Sequence, residues 1–388
     1  MRILFIHTSS PGFLFPGMGL AKKLAVRGHE IAFTSDPKWR SFIEGEGFQF
    51  LNSDDDDHYA FQVSSWHDPI KVGEQTKHIK TAAAAFCPHI LVSNDFCFGA
   101  HICGELLQVP LVVLGFGAWL YPTLNSGHAM EKERQWRLNR FRHIYNKGRS
   151  YCGLSSVPID REQPFILGDL YLLRTIAELE LENKAFPTKV KLVGPCLWEP
   201  EAPGTANLND FLGDTPRDMI VYAQIGQVFK KCELLYNLSL AFGRTDFKIV
   251  VDTGRMDEKT ICCPPNVFTG TRIPMGRVLP KALMTISTGM TTAYLGSISH
   301  GLPNFVVSSG GSGTSEICDR VLRHGLGIVL PTENVTHTSL ASALEFIAKH
   351  PKIAENCRAF GRYFKASNSF ETAACAVENL IAPGEGCP

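Results

Sequence analysis

The run Ile3-Leu4-Phe5-Ile6-His7 is followed by Pro11-Gly12-Phe13-Leu14-Phe15-Pro16, then by Leu20-Ala21-Lys22-Lys23-Leu24, and closes on Arg27-Gly28-His29-Glu30-Ile31 and Ala32-Phe33-Thr34-Ser35. The first run is apolar throughout and of strand length. Pro16–Arg27 carries a helical pattern, Gly28 a turn, and Glu30–Ser35 a second apolar run. A strand with one wet face would alternate polar and apolar residues, and neither of these does. Two continuous apolar strands joined by a helix therefore predict parallel pairing in a sheet covered on both faces.

The same alternation runs outward from this unit. Pro37–Glu46 reads as helix, Phe48–Leu51 as strand, Glu74–Ala85 as helix, Ile90–Ser93 as strand, Gly99–Leu107 as helix and Pro110–Leu114 as strand. The Arg- and aromatic-rich segment from Glu131 to Lys147 reads as an amphipathic helix, and Tyr171–Ile176 and Val190–Val193 as closing strands. From Cys196 to Arg217 the hydrophobic period lapses, with turn pairs Pro203-Gly204 and Gly213-Asp214. The alternation then restarts, with strands expected at Met219–Ala223, Phe247–Val251, Asn266–Thr269, Leu283–Ser287, Asn304–Val307 and Ile328–Leu330. Leu340 to Leu380 is mostly helical, divided at Pro351. The expected architecture is α/β: two doubly wound Rossmann-like domains, 1–195 and 218–388, joined by a linker over 196–217, the terminal helix being able to return to the first domain. Ligands of such sheets lie beyond the carboxyl ends of the strands, in the cleft between the domains.

Composition narrows the class. The 388 residues hold 38 Lys+Arg against 38 Asp+Glu, so no net charge draws the chain to nucleic acid or to an anionic membrane. Twelve Cys without a C-x-x-C pair suit a reducing compartment, and a cytoplasmic protein is expected. The stretch from Pro110 to Pro122 is broken by Gly115 and Gly117 and is too short to span a bilayer. Cys87, His89, Cys97, His101 and Cys103 lack tetrahedral ligand spacing, and Asp54 to Asp57 lack that of a calcium loop, so no metal site is expected.

The opening motifs also carry a resemblance. Pro11-Gly-Phe-Leu-Phe-Pro16, the Leu20-Ala-Lys-Lys-Leu24 helix and Arg27-Gly-His-Glu-Ile31 resemble the start of family 1 glycosyltransferases of the GT-B fold, which read G-H-x-x-P, L-A-x-x-L and R-G-H-x-V. The likeness continues at Leu192-Val-Gly-Pro195, Val221-Tyr-Ala-Gln-Ile-Gly226, Ile273-Pro274, Leu279-Pro280, His300-Gly-Leu-Pro303 and Leu326-Gly-Ile-Val-Leu330, nearly the whole chain. It implies an N-terminal domain for a small-molecule acceptor and a C-terminal domain for a nucleotide diphosphate sugar, which is a co-substrate, so that no cofactor is needed.

The functional positions depart from that pattern. Phe13 stands where the resemblance places the His base, and a phenyl ring accepts no proton. Asp95, in Ser93-Asn94-Asp95-Phe96, matches the Asp that orients this His; it is a candidate proton acceptor, or else the cap of the helix that follows. His7, at the end of the first strand, is the second candidate, with an ordinary buried His as the alternative. On the donor side, H-G-G-x-G-T is replaced by Thr288-Gly289-Met290-Thr291-Thr292-Ala293, and the ribose Glu by Gly296. A glycine turn opening a helix still offers amide N–H groups and a dipole end to a diphosphate, and Thr288, Thr291 and Thr292 add hydroxyls. The D-Q pair falls at Ser312-Gly313, within a glycine-rich run in which Gly311, Ser312, Gly313, Thr314 and Glu316 are candidate ligand contacts. Gly226 and Gln227 are candidate phosphate or sugar contacts, and Arg272 could stack on the base. Phe13, Trp66, Phe96, Phe116 and Trp119 are candidate walls of an apolar acceptor pocket.

The expected activity is transfer of a sugar from a nucleotide diphosphate sugar to an apolar or aromatic acceptor, inverting and metal-independent by resemblance. Loss of the His base leaves N- and C-linked products open beside O-linked ones. The rival readings are a GT-B enzyme that uses an unusual donor or cleaves sugar nucleotides, and a non-catalytic GT-B partner subunit. Expected partners are the donor and the acceptor, with a homodimer left open and neither nucleic acid nor a membrane span.

Overall fold

A computed structural model describes residues 1–51, 59–116, 128–158, 164–180, 186–201, 206–225, 231–254, 263–289, 291–308 and 314–381. The first half forms a seven-stranded sheet from β1 (Arg2–Ile6), β2 (Glu30–Thr34), β3 (Gln49–Phe50), β4 (Ile90–Ser93), β5 (Leu111–Gly115), β6 (Leu170–Leu173) and β7 (Val190–Leu192), in the order β3-β2-β1-β4-β5-β6-β7. The second half forms a six-stranded sheet from β8 (Ile220–Gln224), β9 (Lys248–Asp252), β10 (Val267–Gly270), β11 (Met284–Ser287), β12 (Asn304–Ser308) and β13 (Gly327–Pro331), in the order β10-β9-β8-β11-β12-β13. Every strand pairing among the described residues is parallel.

The continuous apolar strands follow from burial on both faces. Leu4 and Ile6 of β1 join one core with Leu91, Val113 and Tyr171, while Ile3 and Phe5 join another with Ile90, Val92 and Val112. With side chains pointing alternately to opposite faces, a strand buried on both has no polar position to spare. The second sheet repeats the arrangement, with Val221, Ala223 and Ile286 on one face and Ile220, Tyr222 and Val250 on the other.

Three local expectations change. The first helix is Pro11–Val26, so Pro11 is its first residue and Pro16 lies inside it. Pro16 has no N–H to donate back to the Gly12 carbonyl, which is bonded from outside the helix by Arg174 Nη1 at 3.2 Å. The stretch Pro37–Glu46 is a 3-10 turn, Pro37–Trp39, followed by the short helix Arg40–Gly45. The stretch read as linker holds the helix Ala206–Leu212, whose Leu208 and Leu212 are buried with Ile220 and Tyr222 of the second sheet.

The two halves are joined by more than the chain passing between them. Phe116, Ile176 and Leu179 of the first pack with Tyr294, Leu295, Ile298, Ile317 and Val321 of the second. Above this apolar seam, Arg320 and Glu180 form a buried ion pair, and Thr175 Oγ1 donates to the other Glu180 oxygen at 2.9 Å. The terminal helix, Ser369–Glu378, returns to the first half. There Ala373, Ala374 and Val377 are buried beside Leu20 and Leu24, and Arg27 bonds Glu371 and Glu378.

Candidate functional site

Both sheets have the strand order in which crossovers diverge from the first and fourth strands, leaving a crevice at their carboxyl ends. In the first half that crevice lies between β1 and β4, followed by His7 and by Asn94-Asp95. In the second it lies between β8 and β11, followed by Ile225 and by Thr288-Gly289.

Asp95 is 3% exposed. It does not cap the next helix, which is Phe98–Leu107 with Cys97 before it. Its Oδ2 instead accepts from the Phe116 backbone N–H at 3.0 Å, and its Oδ1 from the Tyr171 hydroxyl. Gly115 makes room for the second bond: a Cβ there would fall 2.1 Å from Tyr171 Oη and 2.5 Å from Asp95 Oδ1. Burial pushes the Asp95 carboxyl up to about 6, while the bonds from Tyr171 and Phe116 and the charge of Arg174 pull the other way. A carboxylate has about four lone-pair positions, and two are in use. The group is therefore fixed in place, poised near neutrality, and still able to accept a proton.

His7 is placed differently from the expectation of a residue at the cleft edge. It has no exposed surface, and a Cβ on Gly17 of the first helix would lie 2.1 Å from its Nε2. Phe5 and Phe33 flank its ring, and neither ring nitrogen makes a well-formed hydrogen bond. Burial pushes its pKa down to about 4, an effect the Asn94 side chain only partly offsets. A neutral imidazole sealed under a helix fits the ordinary buried His, not the base.

Around Asp95 the structure gathers much of the aromatic set. Phe13 meets Phe96 edge to face with centroids 5.5 Å apart, Phe96 stacks on Trp66 at 5.9 Å, and Trp66 meets Phe141 at 4.7 Å. Phe141, from the long helix His128–Tyr151, is an addition to the sequence reading. Phe116 donates its N–H to Asp95, but its ring joins the seam between the halves. Trp119 lies outside the described residues.

On the second half, β11 is followed by Thr288 and Gly289, the latter at φ 71°, a left-handed turn that suits glycine, and then by the helix Thr291–Ser299. Thr288 Oγ1 is buried without a hydrogen-bond partner among the described residues. Thr292 faces the first domain, so near that a Cβ on Gly12 would lie 3.5 Å from its Oγ1. Arg272 holds its guanidinium 5.8 Å from the Trp39 ring of the first half, and its backbone N–H is held by Asp252 at 3.1 Å. Glu316 is 4% exposed and pairs with Arg137 of the long helix at 3.0 Å, so its charge is met by the first half. Gly226, Gln227, Gly311, Ser312 and Gly313 lie outside the described residues, as do the side chains of Thr291 and Thr314.

Sequence reasoning missed Tyr171, Arg137 and Arg174. Arg174 follows β6 and is 3% exposed; its Nε donates to the Pro195 carbonyl and its Nη1 to that of Gly12, both at 3.2 Å. A cation straight after the wholly apolar strand Leu170–Leu173 is the one signal that could have marked it.

Two all-parallel sheets facing one cleft, with these corners, define a GT-B fold. The family described as erythromycin biosynthesis protein CIII-like, C-terminal domain, matches residues 237–367. The chain is similar to the NDP-glycosyltransferase YjiC of Bacillus subtilis (strain 168), at 19% identity over 98% of this chain and 97% of that protein. It is similar also to 4'-demethylrebeccamycin synthase of Lentzea aerocolonigenes, at 21% identity over 98% and 99%. Among solved structures, the glycotransferase of kitacinnamycin superposes with a TM-score of 0.77 at 18% identity, over 98% of this chain and 99% of that one. The chain has the GT-B fold and is a glycosyltransferase similar to those of natural-product type, with residues at several functional positions that depart from the family 1 pattern. No helix among the described residues is long and apolar enough to cross a membrane.

Proposed function

We propose that the protein transfers a sugar from a nucleotide diphosphate sugar, held by the second half, to an apolar or aromatic small molecule held by the first. Asp95 carries the reading: a buried carboxyl raised to about 6, fixed by Tyr171 and Phe116, at the crevice of the acceptor half and beside the Phe13, Phe96 and Trp66 rings. In this reading the acceptor lies against those rings and its nucleophilic atom gives its proton to Asp95. That atom attacks the anomeric carbon from the face opposite the leaving diphosphate, so the configuration inverts. The N-terminus of the helix Thr291–Ser299, with Thr288 and Thr292, meets the charge that develops on the leaving group, the place a metal ion takes elsewhere. Phe13 in place of a His base suits an acceptor that is already acidic or nucleophilic: a phenol, an amine or an activated aromatic carbon.

Pooled sugar nucleotides with a panel of phenol, amine and alcohol acceptors, read by mass spectrometry, test this. Products from phenols or amines in preference to alcohols are expected. Native alcohol acceptors, with no gain on them in Phe13→His, would contradict the account of Phe13. The similarity to YjiC, named as an NDP-glycosyltransferase, supports the donor class.

A further inference from the structure

We infer that Arg174, a residue of the acceptor half, is a binding residue for the diphosphate of the donor. The inference rests on the donor class proposed above and adds to it a cation that the second half does not supply.

Three observations converge on Arg174. Its guanidinium is buried, yet among the described residues no carboxylate lies within ion-pair distance of it. Burial lowers its pKa to about 10, so it stays charged at neutral pH. The Asp95 carboxylate favours its charge from a distance but spends its bonds on Tyr171 and Phe116, so the guanidinium is left without a hydrogen-bonded counter-charge, and a buried charge in that state is costly, by several kcal/mol per ion.

Its donors are also sorted. Nε is used on Pro195 O and Nη1 on Gly12 O, whereas Nη2 is buried with no partner among the described residues. The Gly12 carbonyl is free to receive Nη1 because Pro16 cannot donate to it, so the sequence of the first helix builds the socket that holds the guanidinium.

The third observation is what lies next to that socket. Gly12 faces Thr292, in the first turn of the helix Thr291–Ser299, and close by after β11 the Thr288 hydroxyl is also buried and unpartnered among the described residues. Thr288 stands where the resemblance expects a His, so this corner has lost a side chain able to bear positive charge. A helix N-terminus carries roughly half an elementary charge, less than a leaving diphosphate develops. Arg174, reaching in from the opposite half, supplies a full one. An anion at the helix end would lie on the side of Thr292 that faces Gly12, whose carbonyl holds the guanidinium.

Arg174→Met and Arg174→Lys test this by calorimetry and melting temperature with uridine and thymidine diphosphates, the matching monophosphates and inorganic pyrophosphate. The wild type is expected to bind a nucleoside diphosphate. Arg174→Met is expected to lose at least tenfold of that affinity while the monophosphate constants stay within twofold, and Arg174→Lys to keep an intermediate affinity. Should Arg174→Met be less stable, the readout is the rise in melting temperature on adding pyrophosphate, which is expected to shrink relative to wild type. An unchanged diphosphate affinity, an unchanged pyrophosphate-induced rise, or an equal loss for mono- and diphosphate would overturn the assignment of Arg174 alone. A wild type that binds no nucleoside diphosphate would overturn the donor class, and this inference with it.

Discussion

The two crevices of this molecule share a topology and differ in chemistry. At the β1/β4 corner, Asp95 has both oxygens bonded, the next residue, Phe96, packs against Phe13 and Trp66, and the imidazole of His7 is sealed in the core. At the β8/β11 corner, the strand is followed by a left-handed glycine, and a helix begins. At the first corner the carboxyl itself is therefore finished before any ligand arrives, although Asn94 Nδ2 and the His7 ring nitrogens beside it are left without bonds, whereas at the other it is the Thr288 hydroxyl, next to a helix start, that lacks an acceptor among the described residues. A finished site fixes a proton acceptor in one position, and an unfinished one waits for an anion. A doubly wound sheet offers the same crevice each time; the few residues after two strands decide what it does.

The strongest way to break this contrast is at the finished corner. Asp95→Asn keeps the shape, replaces one accepting oxygen by an amide donor and cannot take a proton, and kcat/KM is expected to fall by about 10²–10⁴ with little change in the binding of nucleoside diphosphate. In the wild type, kcat/KM is expected to fall as pH drops below about 6, where the Asp95 carboxyl becomes protonated. A rate profile flat from pH 5 to 8 would remove Asp95 from the role.

The next test concerns how the second half is held to the first. Arg137→Met removes the ion pair that Glu316 makes across the halves while Arg320 stays near it, and is expected to cost about 1–3 kcal/mol by denaturant titration. Replacing both, Arg137→Met with Glu316→Leu, is expected to recover most of that loss. A loss in the double variant equal to the sum of the losses of Arg137→Met and Glu316→Leu made singly would show the pair to be uncoupled.

Acid stability separates the corners again. His7 titrates near 6.5 when unfolded and about 4 when folded, so below pH 6.5 the unfolded chain takes up a proton that the folded one refuses. Stability is thereby lost as pH falls from 6.5 to 4, by roughly 3 kcal/mol from this group alone. Asp95 acts in the opposite sense: its folded value of about 6 lies above its ordinary 3.8, so its protonation favours the folded state as pH falls across that interval. His7→Gln is expected to flatten the acid limb of a denaturation-against-pH curve, and Asp95→Asn to steepen it.

The smallest effect belongs to the unfinished corner. Thr288→Val removes a buried hydroxyl with no partner among the described residues, so the free protein is expected to be unchanged or up to about 1 kcal/mol more stable. Diphosphate affinity is expected to fall severalfold. A clear loss of stability without ligand would mean that Thr288 is part of the finished scaffold after all.

What the sequence made legible follows the same division. The central strands are visible because strands buried on both faces are largely apolar, a local property, and Ile90–Ser93 is read to the residue; β3, β7, β10 and β13, at the sheet edges, are only partly buried. Helix starts are harder: Pro16 reads as a first-turn proline, and only the bond from Arg174 to the Gly12 carbonyl shows how an interior one is accommodated. Asp95 is legible as a position but not as an environment, because Tyr171 lies 76 residues away and Arg174 further still. Arg137 and Glu316 stand 179 residues apart, each an ordinary charged residue in its own helix until the halves meet. Pairings of that range are made by the fold, and a linear pattern contains no trace of them.

The central claim is that the finished corner accepts a proton while the second half gives up a sugar. The most direct measurement is mass spectrometry of a reaction holding pooled sugar nucleotides and aromatic acceptors, run side by side with wild type and Asp95→Asn. The account predicts a product heavier than the acceptor by one sugar less water, with release of a nucleoside diphosphate, from the wild type and at least a hundredfold less from the variant. Equal product from both enzymes, or none from a wild type that also binds no nucleoside diphosphate, would contradict it.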